Sequence, residues 1–208
     1  MRRFLLRLAL GATMGPVAAG AMAAGGPLGI DHELAYDNSG IWARRNQLGL
    51  QYGLIGADLA VALWEGGDSR LGKTAWESLD ATVATAVTTE VLKRSFTRAR
   101  PIQDQGPDAW FQGGSHYSFP SGEVASVSAV VAPYVFEYGP ENPAAYLLEL
   151  LPAYDAVARM KVQAHWQTDV LAGWLIGTGW GWFTHSRNDS VLLDVMPNGI
   201  RVGIRKQF

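Results

Sequence analysis

The chain has 208 residues, enough for one domain with a real core. A net charge of −2 leaves no excess cation to track a nucleic acid, and the absence of cysteine excludes a thiolate nucleophile, a disulfide and a Cys-zinc site. Charged residues are only 17% and aromatics 11%, with eight Trp, which points to a compact, helix-rich chain that buries much apolar surface.

Residues 1–23 read as an export signal. Arg2, Arg3 and Arg7 form a basic start, Leu8 to Ala19 is apolar and small, and Ala21-Met22-Ala23 fits an A-x-A cleavage site. The alternative is a membrane anchor, against which the short run and Pro16 count. The expectation is a single domain over 24–208 in an exported, periplasmic setting, with peripheral membrane contact open. No later stretch matches the ~20 apolar residues of a bilayer helix. Val170 to Thr184 is uncharged but too short.

Trp42 to Trp64 reads as the first helix, closed by Glu65-Gly66-Gly67-Asp68-Ser69. Gly72 to Thr97 is the second, with Ala75, Leu79, Val83, Ala86, Val87, Val91 and Leu92 as its apolar stripe. Pro101 stops it. Ile102 to Ser118 is a long loop of the kind that carries function. Ser121 is a natural N-cap for a third helix. A fourth helix covers Ala144 to Lys161 and a fifth Trp166 to Thr184. Gly173, Gly177 and Gly181 let the fifth pack tightly on a neighbour. Alternation at Ile200, Val202 and Ile204 after Pro197-Asn198-Gly199 predicts a C-terminal β-hairpin. The fold class is therefore all-α, a compact bundle with one short hairpin. His32 and His185 have no partner pattern and read as surface residues.

Three stretches carry chemistry. In Lys93 to Pro101, Lys93 and Arg100 are seven apart, two turns along one face of a continuing helix, with Arg94 and Arg98 adding charge. The bland alternative is a solvated basic helix end that complements the dipole. Pro120-Ser121-Gly122-Glu123 opens a helix, where free N–H groups and a hydroxyl suit an anion. In Arg159-x5-His165-x3-Asp169, a carboxylate four positions on from His165 would hold its Nδ1–H and aim the other nitrogen outward. Together these suit a tetrahedral phosphate attacked in line.

Lys93-x6-Arg100-Pro101, Pro120-Ser121-Gly122 and Arg159-x5-His165-x3-Asp169 resemble the signature of the type 2 phosphatidic acid phosphatase superfamily, which also holds bacterial acid phosphatases and vanadium haloperoxidases. The resemblance implies that His165 attacks phosphorus, that Asp169 orients it, and that Lys93, Arg100 and Arg159 bind the phosphoryl oxygens with Ser121 and the Gly122 N–H. It implies no metal and no cofactor, with vanadate inhibiting as a transition-state mimic. The substrate would be a phosphorylated lipid or small molecule.

One departure is Glu123, where the superfamily usually has the His that protonates the leaving oxygen. Beside three cations a carboxyl is held deprotonated and cannot donate. Three roles stay open: Glu123 shielded and acting as the acid, a phosphate leaving group that needs no acid, or His116 acting instead. The rival functions are a haloperoxidase using bound vanadate, and a non-catalytic protein that binds a phospholipid or phosphoglycan.

Overall fold

The computed structural model describes residues 25–187, together with the backbone of 193–196 and 199–202. Residues 1–23, read as an export signal, lie outside that range. Five α-helices lie within residues 25–187: α1 Arg44–Glu65, α2 Arg70–Phe96, α3 Gly122–Tyr138, α4 Leu150–Lys161 and α5 Gln167–Ser186. Beyond them, strands Leu193–Met196 and Gly199–Val202 pair antiparallel, with Val195 opposite Ile200. The turn between them lies outside the described residues.

The helix ends follow local chemistry. Gly40–Trp42 is a 3-10 turn, so α1 starts only at Arg44. The Ser69 side chain accepts from the Gly72 N–H at 2.9 Å, which caps α2 and starts it at Arg70, ahead of the expected Gly72. Pro143–Glu149 is a 3-10 segment, and the α-helical part of the fourth element begins at Leu150.

α3 is the central helix, with α1, α2, α4 and α5 all packed against it. Its Val124, Ala125, Val127, Ala129, Val131 and Ala132 are at most 2% exposed. α5 meets α3 backbone to backbone. A Cβ at Gly173 would sit 2.4 Å from the Ser121 carbonyl oxygen, one at Gly177 2.1 Å from that of Ala125, and one at Gly181 2.6 Å from Ala132 Cβ. The glycine repeat thus sets the distance between the two helices that frame the site.

Of the apolar stripe predicted for α2, only Ala75 and Leu79 are buried; Leu92 is half-buried, and Val83, Ala86, Val87 and Val91 are exposed. Thr74, Ser78, Thr85 and Thr89 face inward instead. Ser78 Oγ donates to the Val130 carbonyl at 3.1 Å, so a short hydroxyl lets α2 lie close to α3. Among the described residues, no helix is long and apolar enough to cross a membrane.

Candidate active site

Arg98 builds the floor of the site. Its side chain is fully buried between Asp31 and Asp169, at 2.6 Å from each. It also donates to Thr168 Oγ1 at 2.8 Å and to the Pro107 carbonyl, and it lies 4.4 Å from the Trp110 ring centroid. A buried guanidinium needs this many acceptors to offset its lost hydration. Asp31 also accepts from the Thr168 N–H at 2.8 Å and the Thr168 hydroxyl at 2.7 Å. The segment before α1 is therefore stapled to the start of α5.

Arg98 lies off the helix because α2 stops at Phe96. Thr97 turns into the left-handed region with φ 36°, and Arg100 is extended. Lys93 and Arg100 thus do not share a helix face as expected; they reach the site from a last turn and from an extended exit. The basic nonamer is a solvated helix end only in part: Arg94 is exposed and pairs with Glu90, while Arg98 is buried and Lys93 and Arg100 are half-buried. The Ser118 N–H donates to the Arg98 carbonyl at 3.0 Å, which draws the 102–118 loop back over it.

Asp169 does not hold His165 directly. His165 precedes α5, so the two are not on successive turns of one helix as expected. His165 Nδ1 is 3.9 Å from Asp169 Oδ2, beyond hydrogen-bond range. Its partner is the Ser118 carbonyl oxygen at 2.6 Å. A carbonyl only accepts, so Nδ1 carries the hydrogen and Nε2 presents its lone pair. Asp169 instead accepts from the Ser118 hydroxyl at 2.5 Å, the Trp166 N–H at 2.9 Å and Arg98. It fixes the residue that fixes His165. Burial pushes the Asp169 carboxyl up, against Arg98 and these hydrogen bonds.

His165 is 3% exposed. Burial, with Arg159, Lys93 and Arg100 nearby, holds its pKa well below the usual 6.5. It is therefore a neutral imidazole at neutral pH. Lys93 donates to the Pro120 carbonyl at 2.6 Å and the Tyr117 carbonyl at 3.0 Å. Burial, then Arg100, lowers its pKa to about 8. Arg159 is lowered to about 10, chiefly by burial, and Arg100 is lowered for the same reason. Crowded, desolvated cations gain strongly from a bound anion.

Ser121 precedes α3 but makes no cap hydrogen bond. Its Oγ is buried and has no partner among the described residues. The Ser121 N–H donates to the Asp169 carbonyl at 2.9 Å, and a Cβ on Gly122 would approach Lys93 Cε to 3.4 Å. The α3 start, Lys93 and the α5 start therefore converge, and the first-turn N–H groups of α3 have no intrahelical acceptors.

Glu123 forms a bidentate ion pair with Arg44 of α1, with Arg44 Nη2 at 2.7 Å from Oε1 and Arg44 Nη1 on Oε2. Arg159 Nη2 lies 3.5 Å from the same carboxylate. Gln47 Oε1 joins the two cations, accepting from Arg44 at 3.1 Å and Arg159 at 3.0 Å. Asp155, one turn before Arg159, is fully buried with neither oxygen partnered among the described residues. Burial, then the Glu123 charge, pushes its carboxyl up to about 7. His116 does not enter this group: its nitrogens meet the Gly113 carbonyl at 2.8 Å and Gln105 at 3.2 Å, within its own loop. His185 is not a free surface residue; it lies 3.0 Å from Glu77 and stacks on Phe136.

All eight expected site residues converge on this region. Sequence reasoning missed Arg44, Gln47, Asp31, Asp155 and the structural role of Arg98. One signal existed for Arg44: a basic residue opening a helix opposes the dipole and calls for an anionic partner. Among the described residues, no group of three His, Asp or Glu is placed to hold a metal ion.

The sequence matches the PAP2 superfamily over residues 74–190, more than half of the chain and all three motifs. The chain belongs to the PAP2 superfamily. A crystal structure of a transmembrane PAP2-type phosphatidylglycerolphosphate phosphatase from Bacillus subtilis superposes with a TM-score of 0.53 at 18% identity. The match covers 72% of this chain and 78% of that one, a likeness of fold. No protein of curated function matches the sequence.

Proposed function

We propose that this PAP2 protein is an exported hydrolase that frees phosphate from phosphate monoesters or diphosphates of envelope lipids, through a phosphohistidine on His165. The observation that carries the reading is the fixed tautomer of His165. With Nδ1–H donated to the Ser118 carbonyl, Nε2 is the free nitrogen of a neutral imidazole on which the desolvated Arg159, Lys93 and Arg100 act.

In this scheme Lys93, Arg100 and Arg159 hold the non-bridging oxygens, helped by the Ser121 hydroxyl and the Gly122 N–H. Nε2 attacks phosphorus and the leaving oxygen departs on the far side with its bonding pair. Water then cleaves the P–N bond and restores His165. The cations neutralise charge that grows in the transition state. No metal or other cofactor takes part, and vanadate inhibits by mimicking the five-coordinate state. Glu123 has both oxygens engaged by guanidinium N–H groups. That favours a leaving group that needs no proton from it.

A lipid substrate is supported by apolar side chains that face outward near the site's helices, among them Tyr52, Leu63 and Trp64 on α1 and Val87 and Val91 on α2. The B. subtilis protein of similar fold is a phosphatidylglycerolphosphate phosphatase. Phosphate release from matched lipid and soluble phosphates, by wild type and His165→Ala, tests the reading. Loss of turnover with retained ligand binding in His165→Ala supports it. Binding without turnover in the wild type would leave a phospholipid-binding protein. Amino-terminal sequencing of protein from cells tests export, with a start near Ala24 expected.

A further inference from the structure

Arg44 is tied to Arg159 through two shared partners: Glu123 pairs with both guanidinium groups, and Gln47 Oε1 accepts from both. Lys93, Arg100 and Arg159 act on the His165 imidazole, and Arg44 acts on Arg100 and Arg159. Exposure follows the same order: the Arg159 side chain is 5% exposed, Glu123 15% and Arg44 37%. An in-line displacement sends its leaving group away from the nucleophile. In the scheme proposed above, a phosphoryl group held by Lys93, Arg100 and Arg159 sends its leaving oxygen to the open side of the site, and Arg44 is the more exposed cation next to Arg159.

The guanidinium of Arg44 is held by two acceptor residues. Glu123 takes one N–H from each terminal nitrogen, and Gln47 takes the other N–H of Nη1. Three of its five donors are thereby fixed. Among the described residues no acceptor meets the Nε–H or the second Nη2–H, which share one edge of the plane and form a two-pronged donor that matches two oxygens of a phosphate. The placement is otherwise unfavourable, since a cation opens α1.

We propose that Arg44 is a specificity-determining residue that binds the leaving phosphate of a diphosphate substrate, with Glu123 and Gln47 as the residues that position it. This rests on the phosphatase reading above. The step balances without an acid. His165 Nε2 forms a bond to the terminal phosphorus, the bond from that phosphorus to the bridging oxygen breaks, and its electron pair stays on the departing phosphate. That anion is stable at neutral pH and is met by Arg44. Water then hydrolyses the phosphohistidine to inorganic phosphate.

The test uses decyl monophosphate and decyl diphosphate, which differ only in the second phosphate, with the full exported chain. Wild type is expected to show a higher kcat/KM for the diphosphate. Arg44→Ala should lower the ratio of diphosphate to monophosphate kcat/KM at least tenfold, and Arg44→Lys should restore part of it. An unchanged ratio in Arg44→Ala overturns the proposal, whatever happens to the separate rates. A second measurement needs no variant. Methylenediphosphonate should inhibit wild-type turnover of p-nitrophenyl phosphate at least tenfold more tightly than methylphosphonate, and equal inhibition overturns the proposal. His165-dependent turnover with a monophosphate preference defeats this proposal alone. Absence of turnover on every substrate defeats the phosphatase reading and this proposal with it.

Discussion

His165 Nδ1 is bound to the backbone carbonyl of Ser118 at 2.6 Å, while Asp169 stands 3.9 Å away. The carboxylate acts one step removed, through the Ser118 hydroxyl at 2.5 Å. Ser118→Ala and Asp169→Asn should therefore lower kcat through a shared path. A double-mutant cycle is expected to give a combined loss smaller than the sum of the single losses, with a coupling of about 1–3 kcal/mol. Additive losses would mean that Asp169 reaches His165 independently of Ser118.

Asp169→Asn should also weaken the fold, because Arg98 keeps its charge and loses one of two buried carboxylates. Breaking a buried pair costs about 3–5 kcal/mol. Urea unfolding should show a loss of that size in Asp169→Asn and in Asp31→Asn, and much less in Ser118→Ala.

Gly173 and Gly177 separate packing from chemistry. Alanine at either meets a carbonyl oxygen of α3, at 2.4 Å from Ser121 and 2.1 Å from Ala125. Overpacking of this kind costs roughly 1–3 kcal/mol or more. Both variants should lower the melting temperature. Gly173→Ala should also reduce turnover of the folded protein more than Gly177→Ala does, because the atom it displaces belongs to Ser121.

The alkaline limb of activity should belong to Lys93. Burial, then Arg100, lowers its pKa to about 8, so the free enzyme loses a phosphate-binding cation as pH rises through that value. The profile of kcat/KM reports the free enzyme. It should fall above about pH 8 in wild type, and Lys93→Arg should move the fall upward by at least one pH unit. An unmoved limb would assign it elsewhere. His165 stays neutral to well below pH 6.5, so activity should persist into mildly acidic buffer.

Stability should run the other way with acid. Asp58 is 4% exposed, accepts from the Tyr134 hydroxyl at 2.5 Å, and is pushed by burial from 3.8 to about 6. A raised pKa means that the folded state binds the proton more tightly. The contribution is full below the unfolded value and is lost as pH rises through about 6. The whole effect is about 3 kcal/mol. Asp58→Asn should flatten this part of the curve between pH 4 and 7, as read by urea midpoints.

Much of the helical order was legible because the chain punctuates itself with Glu65-Gly66-Gly67, Pro101 and Gly139-Pro140. The three motifs were legible because their residue types match phosphate chemistry at fixed spacing. What stayed hidden was the choice of partners. Arg98 and Asp31 lie 67 positions apart, and no local pattern announces that one is the other's counter-ion. Helical spacing suggested an Asp169–His165 bond, yet the chain leaves α4 at Lys161 and re-enters α5 at Gln167, so the pair spans a turn. Valine at 83, 87 and 91 looked like core because periodicity cannot tell an apolar face from a buried one.

The proposed chemistry stands on covalent phosphorylation of His165. Rapid acid-free quenching of the enzyme with a phosphorus-labelled lipid phosphate or diphosphate detects it. Label is expected on a peptide containing His165, stable in base and lost in acid, and absent from His165→Ala. Full turnover with no labelled peptide, or label that persists in His165→Ala, would contradict it.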